Sequence, residues 1–560
     1  MYPQQPLADE QIPLIIGVTS HRDLRDAELE GLRGQVQQLF AQLRSDYPDL
    51  ILTVLSPLAE GGDQLVAEEG LRQGARLLVP LPLPIELYLH DFEDGLRRQE
   101  FLDLLASGEA LPLPLPDDTS SQSLREPGAP RDLQYARCGL YVADHCHILV
   151  ALWDGRASTR LGGTAQVVAY YLGAAMPGAR DARMRIRQVL ANDDDSLVFH
   201  VPAGRQQHDG DGVADGNGPV WLTSCGARSG DERMPDGFRT IFTRMQEFAR
   251  DLRKHPAAAP ADANEPVVQG LFRAADHLAL HFQKRRLFAM RATYAMAALM
   301  GISLVVYQYA PSPEGMLWLF LLIFAIGVLL TVIARRREWH RKYIDYRALA
   351  EGLRVQAFWR RAGILSTGDQ HFVHDNFLQK QDMDLGWIRN VMRHANLEVT
   401  CPVEPREVEQ VCAEWVGEAD GDGQLAWYAR KAILHDRQQR ATHLLGNACL
   451  WTGIAICLLL AIFYSRLPGQ LRDTLVMAMG ALSIIAAVRA AYAYRKAEKE
   501  LVKQYRFMHR IYRNARAALD ASDDWRQKQD ILRALGEAAL TEHAEWALMH
   551  RERPLEHGRL

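Results

Sequence analysis

The chain predicts an α/β protein: a doubly wound parallel sheet at the N-terminal end, then an all-α membrane region of four transmembrane helices with long cytoplasmic helices. Three observations carry this. Apolar strand-like runs alternate with helical patterns early in the chain, glycine-rich turns follow those runs, and four long uncharged stretches crowd the second half. The chain is 48% hydrophobic and 24% charged, with a mean hydropathy of -0.18. Those averages look soluble because they hide the four stretches.

The first strand is Ile12 to Val18, a continuous apolar run that stops at Thr19-Ser20-His21 and suits burial on both faces. Asp23 to Leu43 follows with helical spacing, placing Leu24, Leu29, Leu32, Val36, Leu39 and Leu43 near one stripe. Ile51 to Leu55 is the second strand, Asp63 to Gln73 its helix, Ala75 to Pro80 the third strand and Cys146 to Leu152 the fourth. Strand–helix alternation at this spacing implies a parallel sheet. Residues 81–135 read as an insertion around a helix with Tyr88, Asp91 and Phe92. Tyr88 stacks on a base or packs on the sheet; both readings stand. Residues 204–237 read as a solvated loop around a short strand, Val220 to Thr223. Asp209, Asp211 and Asp215 lack the twelfth-position ligand of an EF-hand, so no metal is expected there.

Ligands of such sheets bind beyond the carboxyl ends of the strands. Three motifs sit there: Gly17-Val18-Thr19-Ser20-His21-Arg22, then Ala59-Glu60-Gly61-Gly62-Asp63, then Trp153-Asp154-Gly155 with Leu161-Gly162-Gly163-Thr164 opening a helix to Tyr171. Glycine admits close backbone approach, and exposed N–H groups at a helix start attract anions. Thr19, Ser20 and Thr164 offer hydroxyls to phosphate oxygens, while His21 and Arg22 add positive charge. Each motif alone is weak; their convergence on one edge points to a nucleotide-like ligand. The candidate set is Gly17, Thr19, Ser20, His21, Arg22, Glu60, Gly61, Gly62, Asp63, Trp153, Asp154, Gly162, Gly163 and Thr164.

The trio GVTSHRDL, LAEGGDQLVAEEGLRQGA and LWDG…LGGTAQVV resembles the SLOG superfamily over about residues 10 to 225. Its relatives include the Lonely Guy phosphoribohydrolases, the DNA-uptake protein DprA and the N-terminal region of melastatin-type TRP channels. The resemblance implies a Rossmann-like fold and a nucleotide or ADP-ribose-type ligand. The hydrolase branch carries PGGxGTxxE, whose Glu supports cleavage of the N-glycosidic bond. Here Val167 stands at the place of that Glu. A departing ribosyl cation needs a positioned carboxylate, which Glu60 and Asp63 supply only if they are not hydroxyl contacts or helix caps. Sensing is expected over catalysis.

Ala292 to Ala310 and Met316 to Ala334 are uncharged runs of 19 residues each, about 28 Å as helices against ~30 Å of hydrocarbon. Pro311 to Gly315 turns between them. Leu444 to Tyr464 and Thr474 to Val488 make a second hairpin around Pro468-Gly469, with Arg489 near one end. Basic residues flank the outer ends: Lys284, Arg285, Arg286 and Arg291; Arg335, Arg336, Arg337, Arg341 and Lys342; Arg437 and Arg440; Arg489, Arg495, Lys496 and Lys499. The turns carry almost none. Both termini and the central linker are therefore expected in the cytoplasm of a bacterial inner-membrane protein. The N-terminus lacks a basic region followed by an apolar core, so no cleaved signal peptide is expected.

The hairpins form an internal repeat. Each is trailed by a basic, aromatic helix, with Tyr346-Arg347 and Tyr505-Arg506 at matching places offset by 159 residues. Each unit is similar to the two-span SLATT domains, and that resemblance implies a membrane effector of anti-phage defence that forms a pore or disrupts the bilayer. Polar residues within the spans are few: Ser303, Gln308, Asn447, Thr452 and Ser483. Asn447 and Thr452 line a pore or, more commonly, bond helix to helix. Trp387-Ile388-Arg389 and Trp427-Tyr428 form a regulatory interface or, more commonly, simple packing.

Seven cysteines without a CxxC pair argue for a reducing compartment and against a zinc module. A net charge of -5 and a pI near 6.5 give no global basic field, so no nucleic acid polymer is expected as a partner. The division expected is 1–235 SLOG-like domain, 236–290 helical linker, 291–362 first hairpin and trailing helix, 363–436 cytoplasmic helical linker, 437–520 second hairpin and trailing helix, and 521–560 helical tail. The function expected is an oligomeric membrane effector, gated by a nucleotide second messenger. The rivals are a membrane-tethered hydrolase of nucleotides or NAD derivatives, and a passive scaffold.

Overall fold

The computed structural model describes residues 11–92, 95–115, 123–174, 176, 196–206, 218–224, 233–256, 265–309, 313–364, 377–378, 383–397, 403–418, 421–496 and 498–551. Cys225, Cys401, Asp209, Asp211, Asp215, Pro311 and Ser312 lie outside them. The chain divides into two compact units, Met1–Ala275 with Ala348–Val403, and Asp276–Arg347 with Glu404–Leu560.

The first unit holds a seven-stranded sheet built from β1 (Pro13–Ser20), β2 (Ile51–Leu55), β3 (Arg76–Leu81), β4 (Glu109–Pro112), β5 (Ile148–Trp153), β6 (Leu197–Pro202) and β7 (Val220–Thr223). The order is β4-β3-β2-β1-β5-β6-β7. Every pair is parallel except β6 with β7. Leu14, Ile15, Ile16 and Val18 are fully buried in β1, each such side chain stabilising the fold by ~1.5–3 kcal/mol. Helices α1 (Leu29–Asp46), α2 (Gly62–Arg72), α3 (Ile85–Tyr88), α4 (Gly95–Ala106), α5 (Ala129–His145) and α6 (Thr164–Tyr171) connect the strands. Two strands go beyond the sequence pattern: β4, within the supposed insertion, and β6. The first helix also starts later than its stripe suggests. Leu24 is buried ahead of it in a bridge to Arg205, and Asp26–Glu28 form a 3₁₀ turn.

Two further helices, α7 (Asp236–Lys254) and α11 (Gly386–His394), belong to the same unit. Trp387 of α11 packs against Phe248 of α7 with ring centroids 5.4 Å apart, and Leu397 joins the core around Ile15, Leu149 and Val198. Trp387 and Arg389 are therefore core residues.

The second unit is helical. The described chain has four helices long and apolar enough to cross a membrane: α8 (Val267–Tyr307), α9 (Pro313–Arg336), α13 (Gln424–Phe463) and α14 (Gly469–Arg495). No residue of the apolar stretches on α9 and α14 is fully buried, and Trp318, Leu322, Leu329, Trp451 and Ile462 are all more than half exposed. Soluble helices keep a polar face instead. Small residues let α8 and α14 approach: Gly301 lies against Ile484 and Gly480 against Val305. The helices α10 (Trp339–Arg361) and α15 (Glu498–Asp520) trail the hairpins; α12 (Pro405–Val411) and α16 (Trp525–Arg551) complete the described α-helices. The repeat has a structural counterpart. Arg347 bonds Asp276 on the helix leading the first hairpin at 2.7 Å, and Arg506 bonds Asp436 on the helix leading the second at 2.9 Å.

Candidate functional site

From β1 the sheet grows outward through β2, β3 and β4, and the chain then returns to β5 on the other side of β1. The carboxyl ends of β1 and β5 therefore flank the crevice where the strand order reverses, the place where open α/β sheets take ligands. Ser20 ends β1 and Trp153 ends β5.

Three loops are tied together there. Ser20 Oγ donates to Asp63 Oδ1 at 2.6 Å, and the Gly62 N–H donates to the His21 carbonyl at 3.3 Å. Thr164 Oγ1 donates to the Ser20 carbonyl at 2.7 Å. Two glycines are required by this closeness. Gly61 has φ +93°, and a Cβ there would lie 2.3 Å from the Arg22 carbonyl oxygen. Gly162 has φ +73°, and its Cβ would lie 2.9 Å from the Ala136 nitrogen.

Helices α2 and α6 begin at this edge, with Gly61 and Gly163 as N-caps, and neither carries a side-chain cap. The Gly62 N–H is taken by the His21 carbonyl; first-turn N–H groups without a side-chain cap and the positive end of the helix dipole favour an anion. Arg22 is exposed beside them, its guanidinium 5.8 Å from the Tyr135 ring centroid. Tyr135 is fixed in turn: its hydroxyl donates to Asp91, which Arg131 also holds at 2.6 Å. Sequence reasoning misses Tyr135 and Arg131. They stand a helical turn apart on α5, but spacing alone does not reveal which face meets the crevice.

Burial pushes the Asp63 carboxyl up to about 7, against the Ser20 and Ala59 hydrogen bonds and the Arg22 charge. Burial also lowers His21, outweighing Asp154. His21 is thus neutral at neutral pH, and the positive charge expected of it falls to Arg22 alone. His21 Nε2 lies 3.2 Å from the Asp154 carboxylate and 3.3 Å from the Asp154 N–H, so its tautomer decides which bond forms. Asp154, although partly desolvated, is held below its ordinary value by the Arg156 N–H and His21.

Not every candidate faces the crevice. Gly17 lies inside β1, where a Cβ would strike Cys146, and Thr19 is buried in the same strand. Trp153 is tied by its indole N–H to the Arg156 carbonyl at 3.0 Å and packs on His200. Glu60 pairs with Arg97 at 3.2 Å. Tyr88 is buried and donates to the Pro57 carbonyl at 3.0 Å, so it packs rather than offering a base a platform. Val167 is buried against Gly139, so the place of the hydrolase glutamate is a core position.

Among the described residues no group of three or more His, Cys, Asp or Glu is placed to hold a metal ion. The described cysteines are free thiols. No family model matches the chain, and no curated protein or solved structure matches it either.

Proposed function

We propose that the chain is a SLOG-like sensor of a nucleotide-derived second messenger, fused to two SLATT-like membrane hairpins and acting in anti-phage defence. The ligand is a nucleotide or an ADP-ribose derivative whose phosphates meet the α2 and α6 N-termini and Arg22. The observation that supports this is the meeting of two helix starts that lack side-chain caps with an exposed arginine, which no acid pairs among the described residues, at the sheet's switch point. The membrane is the bacterial inner membrane, with both termini cytoplasmic by the distribution of flanking Lys and Arg. Ligand binding favours one arrangement of an oligomer's transmembrane helices. Moving that population from 1% to 99% takes about 5.5 kcal/mol of differential affinity.

A second reading, a membrane-tethered nucleotide or NAD-derivative hydrolase, is favoured by one observation. Asp63, pushed up to about 7, has the proton affinity of a general acid. One experiment separates the two. The full-length protein, in detergent, is incubated with ADP-ribose and with nucleoside mono- and diphosphates, and binding and turnover are both followed. Sensing predicts tight binding of at least one probe, recovered unchanged, with affinity falling tenfold or more in Arg22→Glu. Arg22 is exposed, so its reversal spares the fold, whereas Thr164 is tied to the Ser20 carbonyl. Turnover would install the hydrolase. No affinity for any phosphorylated probe would end both readings.

A further inference from the structure

The helices α15 and α16 carry their exposed charges apart. Residues 501–519 of α15 hold five Lys and Arg and no Asp or Glu. One face of that helix is buried through Val502, Met508, Tyr512 and Leu519. On the other, the exposed residues from 503 to 513 are Lys503, Arg506, Phe507, Arg510 and Arg513, a stripe at helical spacing. α16 buries Leu532, Leu535, Leu540 and Trp546. Every charged residue exposed on it between 527 and 548 is acidic: Asp530, Glu537 and Glu545. A helix face that meets only water mixes the two signs along its length. Here the signs are sorted, positive on one helix and negative on the next. Of these charges, Arg506 is shared with Asp436 at 2.9 Å, and Arg533 stands 3.8 Å from Asp530.

The two stripes lie at matching heights. The helices fold back on each other around Ala521 to Asp524, and farther along Gln504 donates to Glu542. Lys503 is therefore level with Glu545, Arg510 with Glu537 and Arg513 with Asp530, each to within one helical turn of ~5.4 Å. α15 also runs alongside α13, where Arg506 meets Asp436 and the Tyr512 ring stacks on Tyr428 with centroids 5.3 Å apart. Tyr428 precedes Leu444, the start of the uncharged run, by sixteen residues, or ~24 Å of helix. Arg510 and Arg513 thus stand well beyond the ~8 Å over which the surface charge of a bilayer is screened. Headgroups are out of their reach; a protein surface of opposite sign fits them.

We propose that this surface belongs to a second copy of the chain, the basic α15 stripe of one copy lying against the acidic α16 stripe of the next. Copies in one bilayer share one topology and are related by rotation about its normal, so equal heights stay equal. Opposite charges then meet along the whole contact, with Phe507, 53% exposed, near its middle. Each copy uses two different faces, so the contact is head-to-tail, the arrangement that builds rings. The proposal deepens the oligomer reading above. It rests on a bilayer around the four long helices and is independent of what the sheet edge binds.

The test follows self-association of the full-length protein in an uncharged detergent by sedimentation and native mass spectrometry. The parent should assemble, and more weakly as salt rises, because exposed ion pairs are screened. Arg510→Glu and Glu537→Arg should each weaken assembly about tenfold or more, since like charges then face each other. The chain with both changes should recover most of it, because every contact again joins opposite charges. A loss of assembly caused by damage to the helices would not be repaired in this way. Single variants that assemble like the parent, or a helical double variant as weak as the singles, would overturn the interface and leave assembly to other faces. Parent assembly indifferent to salt would also overturn it, and that comparison decides even where a variant misfolds. Single copies only would end the oligomer reading too and hand the basic stripe to a different acidic partner. Recovery of the chain in detergent-free aqueous buffer would remove the bilayer, and with it the shared heights on which the pairing depends.

Discussion

At the scale of single residues, Asp63 concentrates the chemistry of the sheet edge. Its carboxyl is buried, takes a hydrogen bond from Ser20 and is pushed up to about 7. A carboxyl raised in the fold above its unfolded value of about 4 binds more protons folded than unfolded between those two pH values. Stability therefore falls as pH rises from about 4 to about 7, by at most ~4 kcal/mol, and stays low above that range. Asp63→Asn, which keeps an oxygen for Ser20 and cannot ionise, should flatten that slope; urea titrations at pH 5 and pH 8 check it, and an unchanged slope would show that Asp63 is not the group responsible. The same residue makes an expectation for the proposed ligand. A phosphate at the α2 N-terminus favours neutral Asp63, so binding above pH 7 takes up a proton and weakens as pH rises. Calorimetry in two buffers of different ionisation enthalpy reads that uptake, and Asp63→Asn should abolish it. The sequence shows Asp63 at this edge but not its protonation, because burial depends on β1, β2 and α2 together.

At the scale of elements, His147 joins β1 to α11. Its Nδ1 accepts from the Ile15 N–H at 3.1 Å, and its Nε2 lies 3.0 Å from the Asn390 carbonyl, the pattern of a neutral ring protonated on Nε2. Burial, helped by the Arg393 charge, pushes this histidine down to about 3. A histidine lowered below its unfolded value contributes stability above pH ~6.5 that is lost as pH falls toward 3. His147→Leu should cost ~1–3 kcal/mol at pH 7, since it leaves a buried N–H and a carbonyl unpaired. It should also remove that part of the acid sensitivity; a variant as acid-labile as the parent would refute the role. The strands β1, β2, β3 and β5 are legible in the sequence because continuous apolar runs between turns suit buried parallel strands. β4 is not: it is short and exposed, and it ends in a proline, as edge strands do. β6 carries the signal in Leu197, Val198, Phe199 and Val201, a run hidden between a long polar stretch and a Gly/Asp-rich one. The four apolar helices are the most legible of all, because lipid-length uncharged runs have few other uses.

At the scale of the whole molecule, the decisive fact is that the α/β unit is discontinuous in sequence. Residues 348–403 return to it after the first pair of apolar helices, and no local pattern announces such a return, because α11 reads like any amphipathic helix. Its contribution is large: Trp387 and Arg389 are fully buried there, Tyr141 donates to the Leu397 carbonyl at 2.8 Å, and Leu397 closes the core cluster. A fragment ending at Ala275 would expose the partners of all these groups. Removing a large apolar side chain from a packed core costs ~2–5 kcal/mol, against a domain stability of ~5–15 kcal/mol. Such a fragment should therefore be loosely packed, bind a dye for exposed apolar surface, and show weak near-ultraviolet dichroism. Supplying residues 348–403, by co-expression or by a linker in place of 276–347, should restore a cooperative unfolding transition. A fragment ending at Ala275 that melts cooperatively, without dye binding, would mean that the returning segment docks on a finished domain. The two chain crossings around the first hairpin would then be dispensable for folding the α/β unit, and a binding measurement on the short fragment would be valid. The opposite result restricts every ligand experiment on this protein to chains that contain both pieces.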